Sequence, residues 1–294
     1  MSDTLQGILL QSVGGLCEVE TADAVYTCKM RGVFRQRGEM PIAGDKVEIT
    51  LQPDGTGMIE TILPRKNALV RPPLANIDCL VIVVSVKDPE PNLQIINTMI
   101  AIAERREIEP VIVINKTDLS DGDALSAIYA NAGFKVFTVS VTSPDTIASL
   151  KTYLRGKVSA FTGNSGVGKS SILNVLQPSL SLATGDISQK LGRGRHTTRT
   201  VTLFHVGDGL VADTAGFSSL DIAMVENELS SENLFFCFRE FEKHFGHCRF
   251  SSCTHTKELN CAIRAAVDAG EIAASRYETY LLLFSQLKNK KNWN

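Results

Sequence analysis

The stretch Gly163-Asn164-Ser165-Gly166-Val167-Gly168-Lys169-Ser170 sets three glycines, a lysine and a hydroxyl at the spacing of a phosphate-binding loop. Glycines let a backbone turn tightly around an anion, so that successive N–H groups and the positive end of a following helix face it. Lys169 would then reach the β- and γ-phosphates of a nucleotide, and Ser170, followed by Ser171, would hold Mg²⁺. Upstream, Asn115-Lys116-Thr117-Asp118 is the NKxD pattern that reads guanine. The Asp118 carboxylate can accept from both N1–H and the exocyclic amine, Asn115 supports the loop, and Lys116 stacks along the base. Adenine offers no such donor pair and would leave the carboxylate unpaired, which is worth discrimination of about 10⁴.

Three further groups belong to the same chemistry. Gly185–Arg199 is rich in glycine and cations and reads as a switch loop; Thr197 or Thr198 would give its hydroxyl to Mg²⁺ and its N–H to the γ-phosphate. Asp213-Thr214-Ala215-Gly216 follows an apolar run, so that Asp213 would hold Mg²⁺ through water and the Gly216 N–H would sense the γ-phosphate. Ser140-Val141-Thr142 stands where a backbone loop completes the base pocket, although most GTPases have Ser-Ala-Lys there. Phe217 occupies the place of the glutamine that orients the attacking water, which makes unassisted hydrolysis slow. His196 is the local candidate to position that water, or else it docks the loop onto a partner.

A separate constellation, Cys248-x4-Cys253-x-His255-x5-Cys261, offers three thiolates and an imidazole, a full tetrahedral set for Zn²⁺. Four protein ligands leave no open position, so the site is expected to be structural. Seven cysteines, an odd number, argue against a disulfide framework and for a metal site plus buried thiols. His205, His244 and His247 read as ordinary surface or core residues.

The elements that must carry these groups fall into three regions, at 1–67, 68–220 and 221–294. Before residue 67, short alternating runs at Gly7–Leu10, Leu16–Glu20, Val25–Met30, Lys46–Leu51 and Met58–Ile62 suit a five-stranded OB-fold barrel. Its run Lys29–Arg37 holds four cations and an aromatic without an acid, a strand-and-loop face suited to RNA. Arg65–Pro73 reads as a linker. Strands at Cys79–Val86, Val111–Ile114 and Val136–Val139 alternate with helices at Asn92–Arg106, Asp123–Ala132 and Thr146–Leu154, the pattern of a parallel α/β sheet. Strands at Thr202–Phe204 and Leu210–Ala212 follow the phosphate loop, and helices at Ala262–Gly270 and Ser275–Lys288 follow the cysteines.

With 294 residues, 44% of them hydrophobic, the chain supports several cores. Its net charge of −2 confines any nucleic-acid contact to local patches. No apolar run approaches the length of a membrane span, and nothing resembles a signal peptide, so a cytoplasmic protein is expected.

In Ras-like GTPases NKxD comes last, whereas here it precedes the phosphate loop: the order is that of a circularly permuted G domain. NKTD, GNSGVGKS, GRGRHTTR, DTAGF and the cysteine spacing, in that order over essentially the whole chain, resemble the circularly permuted, ribosome small-subunit-dependent GTPase A family of bacteria. Arg31-Gly32, Gly44-Asp45-Lys46-Val47, Arg71-Pro72 and Ala75-Asn76-Ile77-Asp78 add to the likeness. The resemblance implies an OB-fold, a permuted P-loop GTPase domain and a helical zinc-binding domain. It also implies GTP hydrolysis stimulated by the small ribosomal subunit and its rRNA during late maturation, with catalysis by Lys169, Thr198 and His196, in a monomer. Leu259-Asn260 departs from the Pro-Gly expected before the last zinc ligand, and the basic N-terminal extension of some members is absent. Two other readings fit parts of the pattern: a nucleotide-switched regulator of free RNA or protein, and a P-loop ATPase or kinase, which Asn115 and Asp118 disfavour.

Overall fold

The computed structural model describes residues 4–70, 72–180, 201–213 and 228–291. Strands β1 (Thr4–Val13), β2 (Leu16–Thr21), β3 (Val25–Met30), β4 (Lys46–Leu51) and β5 (Gly57–Ile62) close into a barrel in the order β1-β2-β3-β5-β4. Alternation drives the closure: Cys17 and Val19, Val47 and Ile49, and Ile59 point inward and are fully buried. The run Lys29–Arg37 begins in β3 as expected, but its loop part is a short helix, α1 (Gly32–Arg37), with Phe34 buried and Arg35 and Arg37 in its last turn. Phe34 anchors the turn in the barrel core, while the cations stay in water.

The expected linker is docked rather than free. Asp45 is fully buried and accepts from Arg65 Nε and Nη2 at 2.6 and 2.8 Å and from the Ile42 N–H at 2.8 Å. A buried carboxylate must be paired, and here its partner is the chain leaving the barrel. The short pair β6 (Ala68–Leu69) and β7 (Leu74–Ala75) then leans on the barrel through Ala75 N–H to Ala43 O at 2.9 Å and Asn76 Nδ2 to Gly44 O at 2.8 Å.

Six strands form the central sheet: β8 (Cys79–Ser85), β9 (Glu109–Asn115), β10 (Lys135–Thr138), β11 (Val158–Thr162), β12 (Leu203–Val206) and β13 (Gly209–Asp213). Their order is β10-β9-β8-β11-β13-β12, all parallel except β12, which pairs antiparallel with β13. Every residue of β8 is buried, the continuous apolar strand required when both faces are covered. Leu80, Ile82 and Val84 join the core on one face, and Cys79, Val81 and Val83 the core on the other. Helices α2 (Leu93–Arg105), α3 (Asp123–Asn131), α4 (Ala148–Tyr153) and α5 (Lys169–Leu176) cover the sheet. Barrel and sheet share a core that includes Leu9 and Leu210; Gln11 of β1 bridges to Thr202, just before β12, and Glu20 of β2 contacts His205 of β12 at 2.8 Å.

Residues 228–291 carry α6 (Ala262–Asp268) and α7 (Ala274–Lys291). They pack on α2, whose run Ile96–Ala103 is buried because it lies between the sheet and α7. Asn97 Nδ2 reaches Ser275 O and Thr279 Oγ1 at 3.0 and 3.1 Å, and the fully buried Arg276 grips Glu240 at 2.6 and 3.0 Å. Arg239 forks to Glu104 at 2.6 Å and Glu109 at 2.9 Å with its guanidinium over Phe134, and Arg106 pairs with Glu228. Among the described residues no helix is long and apolar enough to cross a membrane.

Candidate nucleotide site and metal centre

The chain runs outward from β8 to β10, then returns to the other side of β8 with β11, so the strand order reverses between β8 and β11. Open α/β sheets bind ligands at such a point, beyond the carboxyl ends of the strands. The phosphate-type loop 163–168 leaves β11 there and enters α5, whose first residues are Lys169, Ser170 and Ser171. Two glycines fix how closely it sits. Gly163 has φ +142° and a Cβ there would lie 2.1 Å from Val83 O; Gly168 has φ +95° and a Cβ there would lie 2.2 Å from Asn115 Nδ2. Only a residue without a side chain allows both approaches. Lys169 Nζ lies across the loop, donating to Gly163 O at 2.7 Å and Asn164 O at 2.8 Å. Beside the loop, a small cleft is lined by Ser85, Glu90, Asn92, Asn164 and Val167 among others.

Asn115, 52 and 53 residues earlier in sequence than Val167 and Gly168, is the last residue of β9 and is buried. Its Nδ2 donates to Val167 O at 2.8 Å, which joins the two motifs. Its Oδ1 is buried and, among the described residues, has no hydrogen-bond donor, an unsatisfied acceptor at a strand end. Lys116 turns the chain in the left-handed region at φ +63°, and its Nζ donates to Asp88 O. Thr117 is tied to Val139 O through its N–H at 3.3 Å and its hydroxyl at 3.1 Å. This brings the 116–118 loop against the next strand end, where the Ser140 hydroxyl donates to Asp118 Oδ1. Ser140 thus lies beside Asp118. The close glycines, the joined loops and the unsatisfied Asn115 oxygen fit a phosphate-bearing ligand with a base laid toward Asp118. Asp213 ends β13, alongside Phe161 of β11. His196, Thr197, Thr198, Gly216 and Phe217 lie outside the described residues.

The second constellation is also assembled. The ligand atoms of Cys248, Cys253, His255 and Cys261 all lie within 4.8 Å of one another. Cys248 Sγ is 4.0 Å from Cys261 Sγ, and His255 Nδ1 is 3.5 Å from each of those sulfurs. A tetrahedron with Zn–S near 2.3 Å and Zn–N near 2.05 Å has edges of about 3.8 Å and about 3.6 Å, so the donor set fits Zn²⁺. Burial pushes the Cys253 thiol up to about 12, raises the Cys261 thiol and lowers the His255 imidazole, so without a cation those two sulfurs hold their protons. Zinc would stand in for those protons and supply fixed geometry rather than catalysis.

Sequence reasoning passed over the groups that hold both sites. Asp88 and Thr146 brace the base loop. Around the metal centre, the Tyr277 hydroxyl donates to His255 O at 2.8 Å, the Tyr280 hydroxyl to Thr254 O at 2.9 Å, and Glu258 gathers the Thr254, Thr256 and Lys257 N–H groups at 2.9 to 3.0 Å. The hydroxyl-rich run Ser140–Thr146 was the one available signal for the first group. The tyrosines lie on α7, too distant in sequence to be linked to the cysteines by spacing.

Comparison with known proteins agrees with this geometry. The family described as RsgA GTPase matches residues 62–223, and the RsgA N-terminal domain matches residues 6–59. "Small ribosomal subunit biogenesis GTPase RsgA" of Caldanaerobacter subterraneus subsp. tengcongensis is 41% identical over 293 residues, covering 98% of each chain. "Small ribosomal subunit biogenesis GTPase RsgA 1" of Listeria monocytogenes serotype 4b is 42% identical, covering 98% of this chain and 99% of its own. Among solved structures, YloQ, described as a circularly permuted GTPase, superposes with a TM-score of 0.81 at 31% identity, covering 98% of this chain and 96% of its own. YjeQ from Thermotoga maritima gives 0.80 at 37% identity, covering 97% and 99%. The joined loops, the reversed motif order and this full-length likeness lead to one conclusion: the chain belongs to the RsgA GTPase family, whose members hydrolyse GTP.

Proposed function

We propose that this chain acts on the small ribosomal subunit, hydrolysing GTP there during the subunit's late maturation and leaving with GDP. The observation that carries the nucleotide half of this reading is the Asn115 Nδ2 to Val167 O bond, which brings a base-reading loop and a phosphate loop of inverted sequence order to one sheet edge. The ribosomal half is supported by relatives named as small ribosomal subunit biogenesis GTPases that match the chain over nearly its whole length.

In this reading Asp118 pairs with guanine, braced by Ser140, with Asn115, Lys116, Thr117 and Val141 shaping its pocket. Loop residues 163–168 wrap the phosphates with their N–H groups, and Lys169 moves from its loop carbonyls toward the β- and γ-oxygens, where it offsets the charge that develops on hydrolysis. Ser170, Asp213 and Thr197 or Thr198 hold Mg²⁺, which supplies charge stabilisation at the phosphates. Gly216 reports the γ-phosphate, and His196 orients the attacking water. Cys248, Cys253, His255 and Cys261 carry one structural zinc. Regions 1–67, 68–220 and 221–294 serve as RNA-binding barrel, GTPase and zinc-bearing helical unit of a cytoplasmic monomer.

The test is GTP turnover by the full chain with and without purified small subunits. Stimulation of at least ten-fold by small subunits, and none by large subunits, is expected. Equal turnover in both cases would leave a GTPase with no ribosomal role. His196→Ala should remove the stimulated rate and leave GDP binding intact.

A further inference from the structure

The Ser140 hydroxyl has a single proton, and a carboxylate oxygen can only accept, so that proton is committed to Asp118 Oδ1. Ser140 Oγ also lies 2.7 Å from Thr142 Oγ1. With the Ser140 proton already placed, the donor in that contact must be Thr142. The Thr142 N–H gives a second hydrogen bond to the same oxygen at 3.2 Å. The result is a one-way chain, from the hydroxyl and N–H of Thr142 to Ser140 and from Ser140 to Asp118. Each bond in such a chain polarises the next toward the carboxylate.

The backbone that carries this chain is pinned separately. Ser140 N–H donates to Thr146 Oγ1 at 3.0 Å, Thr146 Oγ1 donates to Ser143 O at 2.7 Å, and Ser143 N–H closes the turn on Ser140 O at 3.1 Å. Removing the Thr142 hydroxyl therefore leaves the loop path in place while releasing the Ser140 rotor. Resting on the guanine reading of Asp118, we infer that Thr142 is a positioning residue for base selection. Its hydroxyl fixes Ser140 as a donor, and Ser140 keeps the carboxylate aimed so that both oxygens meet the two guanine N–H groups. A threonine thus performs, by hydrogen bonding, a task at the third position of a loop where most GTPases carry lysine.

The test measures the affinity of the full chain with Mg²⁺, without ribosomal subunits, for GDP and for IDP, whose base lacks the exocyclic amine, by displacement of a fluorescent GDP analogue. Thr142→Val should weaken GDP roughly three- to ten-fold, the worth of one hydrogen bond, and should narrow the GDP-over-IDP preference because GDP loses more than IDP. Thr142→Ser should keep both parental values. A parental GDP-over-IDP ratio in Thr142→Val overturns the inference, as does a Thr142→Ser protein that falls as far as the valine variant. Should valine lower the melting temperature, Thr142→Ala gives the same reading at a position that faces solvent. A parent without preference for GDP over IDP and ADP would instead remove the guanine reading itself, which separates the two failures.

Discussion

The nucleotide loops and the Cys/His loop solve the problem of holding a charged guest by opposite means. At the sheet edge the backbone does the holding: strand ends fix the start of each loop, two glycines permit contact at distances a Cβ would forbid, and one amide side chain joins the loops. Around Cys248–Cys261 the described chain has little regular structure between the turn at Arg239–His244 and α6, and side chains converge instead. The His255 ring lies against Phe235, with centroids 5.0 Å apart, and tyrosines of α7 hold the backbone carbonyls of His255 and Thr254. A site made by a sheet exists before its guest arrives, whereas a site made by ligands depends on it.

Metal removal is the largest lever on that contrast. Structural zinc contributes on the order of 10 kcal/mol in small peptide systems, so Cys261→Ser or a strong chelator should release one zinc per chain, measured by mass spectrometry, and open residues 246–261 to protease. GDP affinity should survive, because among the described residues the hydrogen bonds of the Cys248, His255 and Cys261 ligand atoms stay within residues 248–262, away from the loops at the sheet edge. Loss of GDP binding in step with zinc would erase the distinction between the two regions.

The side chains beside the metal centre give the next effect. Arg276 and Glu240 are both buried, with side-chain exposures of 0% and 4%, so Arg276→Met alone strands a carboxylate and should cost about 3 to 5 kcal/mol in denaturant unfolding. The double change Arg276→Met with Glu240→Leu should recover most of that loss. On the backbone side, Gly168→Ala asks an alanine to adopt φ +95° and places its Cβ 2.2 Å from Asn115 Nδ2. About 2 kcal/mol of stability should go, together with at least a ten-fold loss of GDP affinity, since yielding means breaking the Asn115 to Val167 bond. Zinc content should stay at one per chain.

The same contrast explains what could be read from the sequence. Backbone-built features have strict local patterns: the apolar run of β8, the GxxxxGKS loop and NKTD are each contiguous, and strand alternation shows the barrel through Cys17, Val19, Val47 and Ile49. The ligand spacing was legible too, because all four donors fall in one short stretch. What was not legible is held by residues far apart in sequence. Arg65 pairs with Asp45 at a separation of 20, Asn97 with Thr279 at 182, and Arg276 with Glu240 at 36, and no periodicity marks such partners. For the same reason the stretch read as a linker proved to be docked, and α1 replaced a loop once Phe34 found the barrel core.

The smallest effect concerns Glu258, which braces the metal loop without touching the ligand atoms. Burial alone would raise its pKa, but hydrogen bonds from the Thr254 hydroxyl and from the Thr254 and Thr256 N–H groups hold it at about 2. A carboxylate whose folded pKa is depressed contributes stability above its unfolded value of about 4.3, and loses it as pH falls toward the folded value. Glu258→Gln replaces one accepting oxygen with a donor group and should destabilise the zinc-loaded protein by about 1 to 3 kcal/mol at pH 7. The difference between parent and variant should hold from pH 7 to pH 5 and shrink below about pH 4.3. Zinc release on acidification affects both proteins, so the difference between them isolates the brace. A difference that already changes between pH 7 and pH 5 would mean the carboxylate acts through the histidine's titration instead of through the backbone it gathers.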